Sequence, residues 1–450
     1  MADHWVAAFV PALLLALLAA RARVRGGSWL EPSALFALAW SLYVLLPLLL
    51  APDFEVWPGG VWWILLSVYS VCCGSWWAGR GKDRVPGQQP RASRSTFALR
   101  AIKSQISGLR IVLVITLLCG LLYSLVAILN FGFGLGTLFS TEGIVELARA
   151  FSVDRYSEAY VPPGFLVQVW LIGVYAAPIF GGLLFSARRN KADVFLSISS
   201  IVPAFSVFLI QTARAPVVLA LSLWVSGSFA QSVFSHPEGV RIFSKKRTYA
   251  LLALALFLVV IFGVGQVMRG GRAPEVEVMQ DMLLSDTPRV FMLGHISVFT
   301  RWFHETAFSL TSPALGAYSV AGLFDQLGIH PRPLGLYLDF YEIVPGMVSN
   351  IFTVFRGFIE DFTLPGSLLF LFLVGMYAGR AYDRVREGDL RYAPVLIAAY
   401  AFSGSYGVSI FNYNSILFSW LIAAIYLRTV SGHKSQSTRP VSSAPVTGMA

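Results

Sequence analysis

The sequence predicts an all-α polytopic membrane protein with about eleven transmembrane helices, an external N-terminus and a cytoplasmic C-terminus. Three observations carry this prediction. Of 450 residues, 56% are hydrophobic and 13% charged, against roughly 25% charged in an ordinary soluble domain. Apolar runs long enough to cross a bilayer recur along the whole chain, and the basic residues gather in alternate connecting segments. This composition excludes a soluble enzyme. The formal charge of +10 then reads as topology, and no nucleic-acid partner is expected.

Runs of the roughly 17–25 mostly apolar residues that span hydrocarbon lie at 4–20, 33–51, 60–79, 111–130, 165–186, 193–212, 216–234, 249–267, 365–382, 393–411 and 414–430. The first has the length of a signal-peptide core. A signal peptide is basic in front of its apolar run, whereas here Asp3 and His4 precede it and Arg21, Arg23 and Arg25 follow. It therefore reads as a retained helix that starts outside. From that start, alternation puts the segments near 21–32, 80–110, 187–192, 235–248, 383–392 and 431–450 in the cytoplasm. With their adjoining helix ends these hold 25 of the 34 basic residues but only 7 of the 24 acidic ones. The positive-inside rule is thus satisfied at every loop.

Residues 1–430 read as one integral membrane domain, with a basic cytoplasmic loop at 80–110 and a polar, Ser/Pro-rich, disordered tail at 431–450. The stretch 86–95 has the same disordered character. External material is concentrated at 131–164, which opens with the Gly-rich Phe131–Gly136, and at 268–364, just before the last three spans. The second segment is too long for an idle connector. Its apolar stretches at 290–300, 314–327 and 334–348 are shorter than a span and predict helices packed on, or re-entering, the outer face. An added pair of spans there would also keep the alternation.

Cys72 and Cys73 fall in the third span and Cys119 in the fourth, so no external disulfide is expected. Cys-x-x-Cys and His-Glu-x-x-His spacings are absent, and so are a phosphate-binding Walker loop and a dinucleotide fingerprint. No metal and no cofactor are expected, and the energy for any chemistry must come from the substrate or an ion gradient.

All nine external basic residues are arginines: Arg149, Arg155, Arg214, Arg269, Arg272, Arg289, Arg301, Arg332 and Arg356. Arg214 sits in a turn of a few residues (Gln211–Pro216) between two spans. Arg269 and Arg272 close the eighth span around two glycines that let the backbone approach a bulky anion. A guanidinium presents forked donors matched to phosphate oxygens, so Arg214, Arg269, Arg272, Arg356 and Arg301 form a candidate pyrophosphate site. The alternative is that these side chains snorkel or pair with the external carboxylates.

In the same long segment, Arg301, His304 and Glu305 project from one side of a helix. They either orient the imidazole as a general base or form a solvated face with an ordinary salt bridge. Further on, at helical spacing from Asn350, the residues Asn350, Thr353, Arg356, Gly357, Glu360 and Asp361 cover an arc of about 140°. Phe352, Phe355, Phe358 and Phe362 fill much of the remainder. This predicts an amphipathic helix running into the ninth span. Its polar set suits sugar hydroxyls and phosphate; a helix lying on the lipid surface is the other reading. Asn350, Thr353 and Tyr341 are the candidate sugar-binding residues.

The chain resembles the O-antigen polymerase (Wzy) superfamily, the oligosaccharide repeat-unit polymerases of bacterial surface polysaccharide and lipopolysaccharide synthesis. The resemblance lies in about eleven spans, a large external loop before the last three, an Arg in the external turn Gln211–Pro216, and a stretch with Asn350, Thr353, Asp361, Phe362 and Gly366 just before a span. It departs from the family pattern at Thr363, where the family has Gly. The resemblance implies a metal-independent glycosyltransferase of the bacterial cytoplasmic (inner) membrane, its site facing the periplasm. Such an enzyme joins undecaprenyl-pyrophosphate-linked oligosaccharides, donor and acceptor both being lipid-linked. Membrane lipids and a chain-length regulator protein are further implied partners. In this scheme the arginines stabilise the departing lipid pyrophosphate, with Arg214 also acting catalytically. Asp361 or Glu360 takes the proton of the attacking hydroxyl, with His304 in reserve. Two alternatives share parts of this reading: an O-antigen ligase using the same donor, and a flippase or transporter of lipid-linked oligosaccharide. A transporter would place ionisable residues at mid-membrane and show a repeated half, and the sequence shows no such repeat.

Overall fold

The structure, a computed structural model, describes residues 2–79, 95–155, 165–237, 256–261, 263–268, 286–331, 336–407 and 409–436. The helices begin with α1 (Ala2–Gly26), α2 (Pro32–Leu50), α3 (Pro58–Ala78), α4 (Ser95–Asn130), α5 (Thr141–Arg155) and α6 (Phe165–Ala187). Next come α7 (Lys191–Ser199), α8 (Val202–Gln211), α9 (Ala215–Ser235) and a shorter α10 (Leu256–Met268). After them lie α11 (Asp286–Leu293), α12 (His295–Glu305) and α13 (Ala321–Gln326). A hairpin of β1 (Tyr341–Val344) and β2 (Met347–Ser349) precedes α14 (Val354–Arg386), α15 (Ala393–Ser403) and α16 (Asn414–Gln436). Among the described residues, nine helical segments are long and apolar enough to cross a membrane, α7 and α8 counting together as one. The chain is therefore an all-α polytopic membrane protein. The eighth and tenth apolar runs of the sequence fall on the shorter helices α10 and α15.

Small residues set the crossing that matters most for the site. A Cβ at Gly74 of α3 would stand 1.9 Å from the Phe372 carbonyl oxygen of α14, and one at Gly375 would stand 2.0 Å from that of Val71. The two helices thus meet backbone to backbone, a contact that lipid-embedded helices achieve through glycine.

Hydrogen bonding sorts the connecting segments into two ends. At the basic end, Glu31 caps α2 by accepting from the Ala34 amide at 3.0 Å and ties α3 through Ser75 Oγ at 2.5 Å. Nearby, Arg25 lies 4.7 Å over the Trp76 ring, and Asp193 of α7 pairs with Arg110 of α4 at 2.7 Å. The opposite end carries α11–α13 and the hairpin. Here Ser297 donates to the Glu55 carbonyl at 2.5 Å, Thr300 Oγ1 accepts from the Trp57 amide at 3.1 Å, and His295 Nε2 donates to the Tyr43 carbonyl at 3.2 Å. These bonds seat α12 on the α2–α3 connection.

In the long segment before α14 the longest helix among the described residues, α12, has 11 residues. Two expectations differ from the structure. The apolar stretch 334–348 does not form a helix: residues 337–340 run irregularly into the hairpin, which turns at Gly346 with φ +82°. Ile343, Val344 and Val348 are β-branched, and Pro-Gly is a turn signal, so strand chemistry prevails over apolarity alone. The amphipathic helix begins at Val354 and not at Asn350; Thr353 is its N-cap residue, with φ −88° and ψ 157°.

That helix does not lie on a lipid surface either, because Arg356 and Asp361 are both buried. It breaks at Thr363, whose φ of 62° and ψ of 177° lie in a region populated almost only by glycine. Pro365, two residues on, has no amide hydrogen for the Asp361 carbonyl. The freed carbonyls of Glu360 and Asp361 instead accept from the amides of Ala314 and Leu315, both at 3.0 Å. The break therefore gives the loop around 314–320 its footing.

Candidate functional site

The first two turns of α14 carry the candidate residues, and three neighbouring segments enclose them. Arg356 lies at the centre, its side chain 7% exposed. Its Nε donates to Glu360 Oε1 at 3.0 Å, one helical turn on. Its two terminal nitrogens grip Asp339, Nη1 to Oδ2 at 2.7 Å and Nη2 to Oδ1 at 3.2 Å. The guanidinium carbon stands 3.9 Å from the Tyr337 ring centre, 4.0 Å from that of Phe352 and 5.0 Å from that of Trp302. Aromatic faces attract a guanidinium and hold it without needing a counter-ion. Burial pushes the Tyr337 hydroxyl well above its ordinary pKa, so it stays neutral.

The two carboxylates after Arg356 differ in their surroundings. Asp361 is 0% exposed and accepts from the Tyr318 amide at 3.0 Å, from the Ser319 amide at 2.7 Å and from the Ser319 hydroxyl. Both its oxygens are occupied, and its work in this geometry is to tether the 314–320 loop. Glu360 gives one oxygen to Arg356, while Oε2 is buried and has no hydrogen-bond partner. A buried carboxylate oxygen without a donor costs free energy unless it takes a proton or a ligand hydroxyl. Of the two acids, Glu360 is the one placed to act as a base.

Asn350, Thr353 and Tyr341 surround the same aromatic core. Asn350 Nδ2 donates to the Tyr337 carbonyl at 3.1 Å, and Tyr341 meets the Phe352 ring edge-on with centroids 5.7 Å apart. Thr353 is fully buried, and its hydroxyl has no hydrogen-bond partner. Arg214 joins this set through Tyr406. It occupies the N-cap position of α9, behind Thr212 in a left-handed conformation (φ +48°). Its guanidinium bonds Gln266 of α10 and stands 5.0 Å from the Phe291 ring centre. Tyr406 lies near enough to feel this charge. The Tyr406 carbonyl in turn accepts the Val354 amide at 3.0 Å, two residues before Arg356.

The remaining candidates lie elsewhere. Arg301 pairs with Glu305 and also donates to the Glu342 carbonyl, both at 3.0 Å. His304 does not share this network; its exposed ring stacks on Trp57 with centroids 4.1 Å apart. The orienting triad drawn from spacing is therefore absent, because the imidazole has the better partner in an indole face. His304 borders a groove of about 720 Å³ between α1 and α3, lined by Leu14, Leu18, Trp62, Trp63 and Phe303. Arg269 and Arg272 lie outside the described residues. Among the described residues no cluster of His, Cys, Asp and Glu could hold a metal.

Sequence reasoning missed Asp339, Tyr337 and Tyr406. A signal for the first two does exist: Tyr337, Asp339 and Tyr341 alternate with Leu338 and Phe340, which are 70% and 61% exposed, the two-residue period of an extended chain. Compared with known proteins, the chain matches no family model, no curated protein and no solved structure.

Proposed function

We propose that the chain is a polymerase of the Wzy type, transferring a glycan from undecaprenyl pyrophosphate to a second lipid-linked repeat unit at the external face of the bacterial cytoplasmic membrane. The observation that carries this reading is the pairing, one helical turn apart, of a caged guanidinium and a carboxylate with a free buried oxygen, Arg356 and Glu360. A glycosyl transfer from a pyrophosphate donor needs both. The acceptor hydroxyl oxygen forms the new bond to the anomeric carbon as the bond to the pyrophosphate oxygen breaks. The pyrophosphate leaves with the electron pair, and Glu360 receives the hydroxyl proton. Arg356, fixed before the reaction, sets positive charge where negative charge develops. Arg214, whose charge reaches Tyr406, is assigned the same role, and Asn350, Thr353 and Tyr341 offer contacts to sugar.

The orientation that puts this site outside is supported by two things: the basic segments of the sequence, and the position of described members such as Arg25 and Arg110 at the end of the bundle away from α12 and the hairpin. Deleting the gene in its host and resolving surface glycans by gel tests the function. A ladder that collapses to single repeats supports polymerisation; complete loss of attached glycan points to a ligase, and an unchanged ladder overturns the proposal.

A further inference from the structure

Arg356 is held by two carboxylates of unequal character. Glu360 belongs to the same helix, and its side chain is 10% exposed. Asp339 belongs to the irregular segment before the hairpin, and its side chain is 44% exposed. Among the described residues no backbone hydrogen bond is made by 338–340, and Leu338 and Phe340 face outward. The fork that Asp339 occupies is the one a phosphate-type oxyanion would take, two parallel donors meeting two oxygens. With Asp339 in place, one guanidinium already faces two carboxylates, and an arriving pyrophosphate meets net negative charge.

We propose that Asp339 is a displaceable internal anion: a phosphate-type oxyanion takes its place on the terminal nitrogens of Arg356, and the segment 338–340 is released. This rests on the reading of Arg356 as the holder of pyrophosphate. The exposed partner is the one that exchanges, because a half-solvated carboxylate recovers its hydration on leaving and a partly exposed ion pair is weak. The guanidinium keeps its position meanwhile, since Tyr337, Phe352 and Glu360 remain around it. Asp339 therefore acts as a selectivity element. It shields Arg356 from weak or single-oxygen ligands and yields to one that fills both branches of the fork.

Full-length protein in lipid nanodiscs is titrated with inorganic pyrophosphate, comparing wild type with Asp339→Asn, Glu342→Gln, Arg356→Gln and Arg356→Lys. The last variant keeps the charge and removes the fork. Asp339→Asn is expected to bind about ten-fold more tightly, equivalent to ~1.4 kcal/mol, with Glu342→Gln close to wild type and both Arg356 variants weakened. In the wild type, pyrophosphate is expected to increase the mobility of a spin label placed at the exposed Leu338, in the released segment. Equal tightening in Asp339→Asn and Glu342→Gln would mean that charge alone acts, and no tightening in Asp339→Asn would mean that nothing is displaced. Either result overturns the proposal while leaving Arg356 as the binding group. Wild-type affinity in both Arg356 variants would overturn that underlying reading as well.

Discussion

The carbonyl of Asp361 receives the amide of Leu315 at 3.0 Å, a bond open to it because Pro365 cannot donate. The carboxylate of the same residue binds the amides of Tyr318 and Ser319. One residue thus fastens the roof of the site by main chain and side chain together.

The break that makes this possible stores strain at Thr363, a β-branched residue with φ 62°. Conformations of this kind cost about 1–3 kcal/mol in a non-glycine residue, and the greater freedom of an unfolded glycine takes back roughly 1 kcal/mol. Thr363→Gly is therefore expected to stabilise the protein by ~1 kcal/mol, raising the midpoint of thermal unfolding in detergent. A lowered midpoint would show that the hydroxyl or methyl of Thr363 contributes more than its backbone costs.

Asp361→Asn keeps the shape and turns an acceptor into a donor facing the amides of 318 and 319. Leaving buried donors unmatched is expected to cost about 2–4 kcal/mol. The variant should unfold at lower temperature, with protease cleavage appearing in 310–320. Unchanged stability would argue against the tether.

Glu360→Gln retains the acceptor toward Arg356 and removes the base. Arg356→Lys retains the charge and removes the fork. Both are expected to reach the membrane in normal amount while polymer formation falls by about 100-fold or more, leaving lipid-linked single repeats. Immunoblotting and glycan gels from the same cells separate the two quantities, and normal polymer from both variants would refute the roles assigned.

His295 predicts a dependence of stability on pH. Burial pushes its pKa from the usual 6.5 down to about 4, so between these values the unfolded chain binds a proton that the folded chain refuses. Stability from this residue is complete above pH 6.5 and is lost as pH falls toward 4. The total is roughly 3 kcal/mol, from about 1.4 kcal/mol for each unit. Thermal midpoints measured across this range should decline for the wild type and much less for His295→Gln, which can still donate to the Tyr43 carbonyl. Parallel curves would place the acid sensitivity elsewhere.

The spans were legible because hydrocarbon permits few backbone arrangements, and continuous apolar length betrays the helix. The polar set at 353–361 was legible as residue types at helical spacing, although its helix starts later and is covered. The pairing of Arg356 with Asp339 was not legible. It joins a helix to an extended segment of two-residue period, and the alternation at 337–341 shows which side chains share a face but not which helix that face meets. His304 misled for a related reason: helical spacing placed it beside Arg301, while an indole from the start of α3 decided where the ring turned.

The glycine-to-backbone crossing of α3 and α14 also has a consequence for synthesis. Gly74 enters the membrane early and meets Phe372 only after about three hundred further residues have been made. Domains and their parts fold as the chain emerges, so the first three helices must wait beside lipid or an insertion factor until α14 arrives. A chain halted before residue 354 would leave Trp40 without Phe355, whose ring centre lies 4.4 Å away in the finished protein. Such a fragment would carry the signature of an unassembled membrane protein, and quality-control proteases would be expected to clear it.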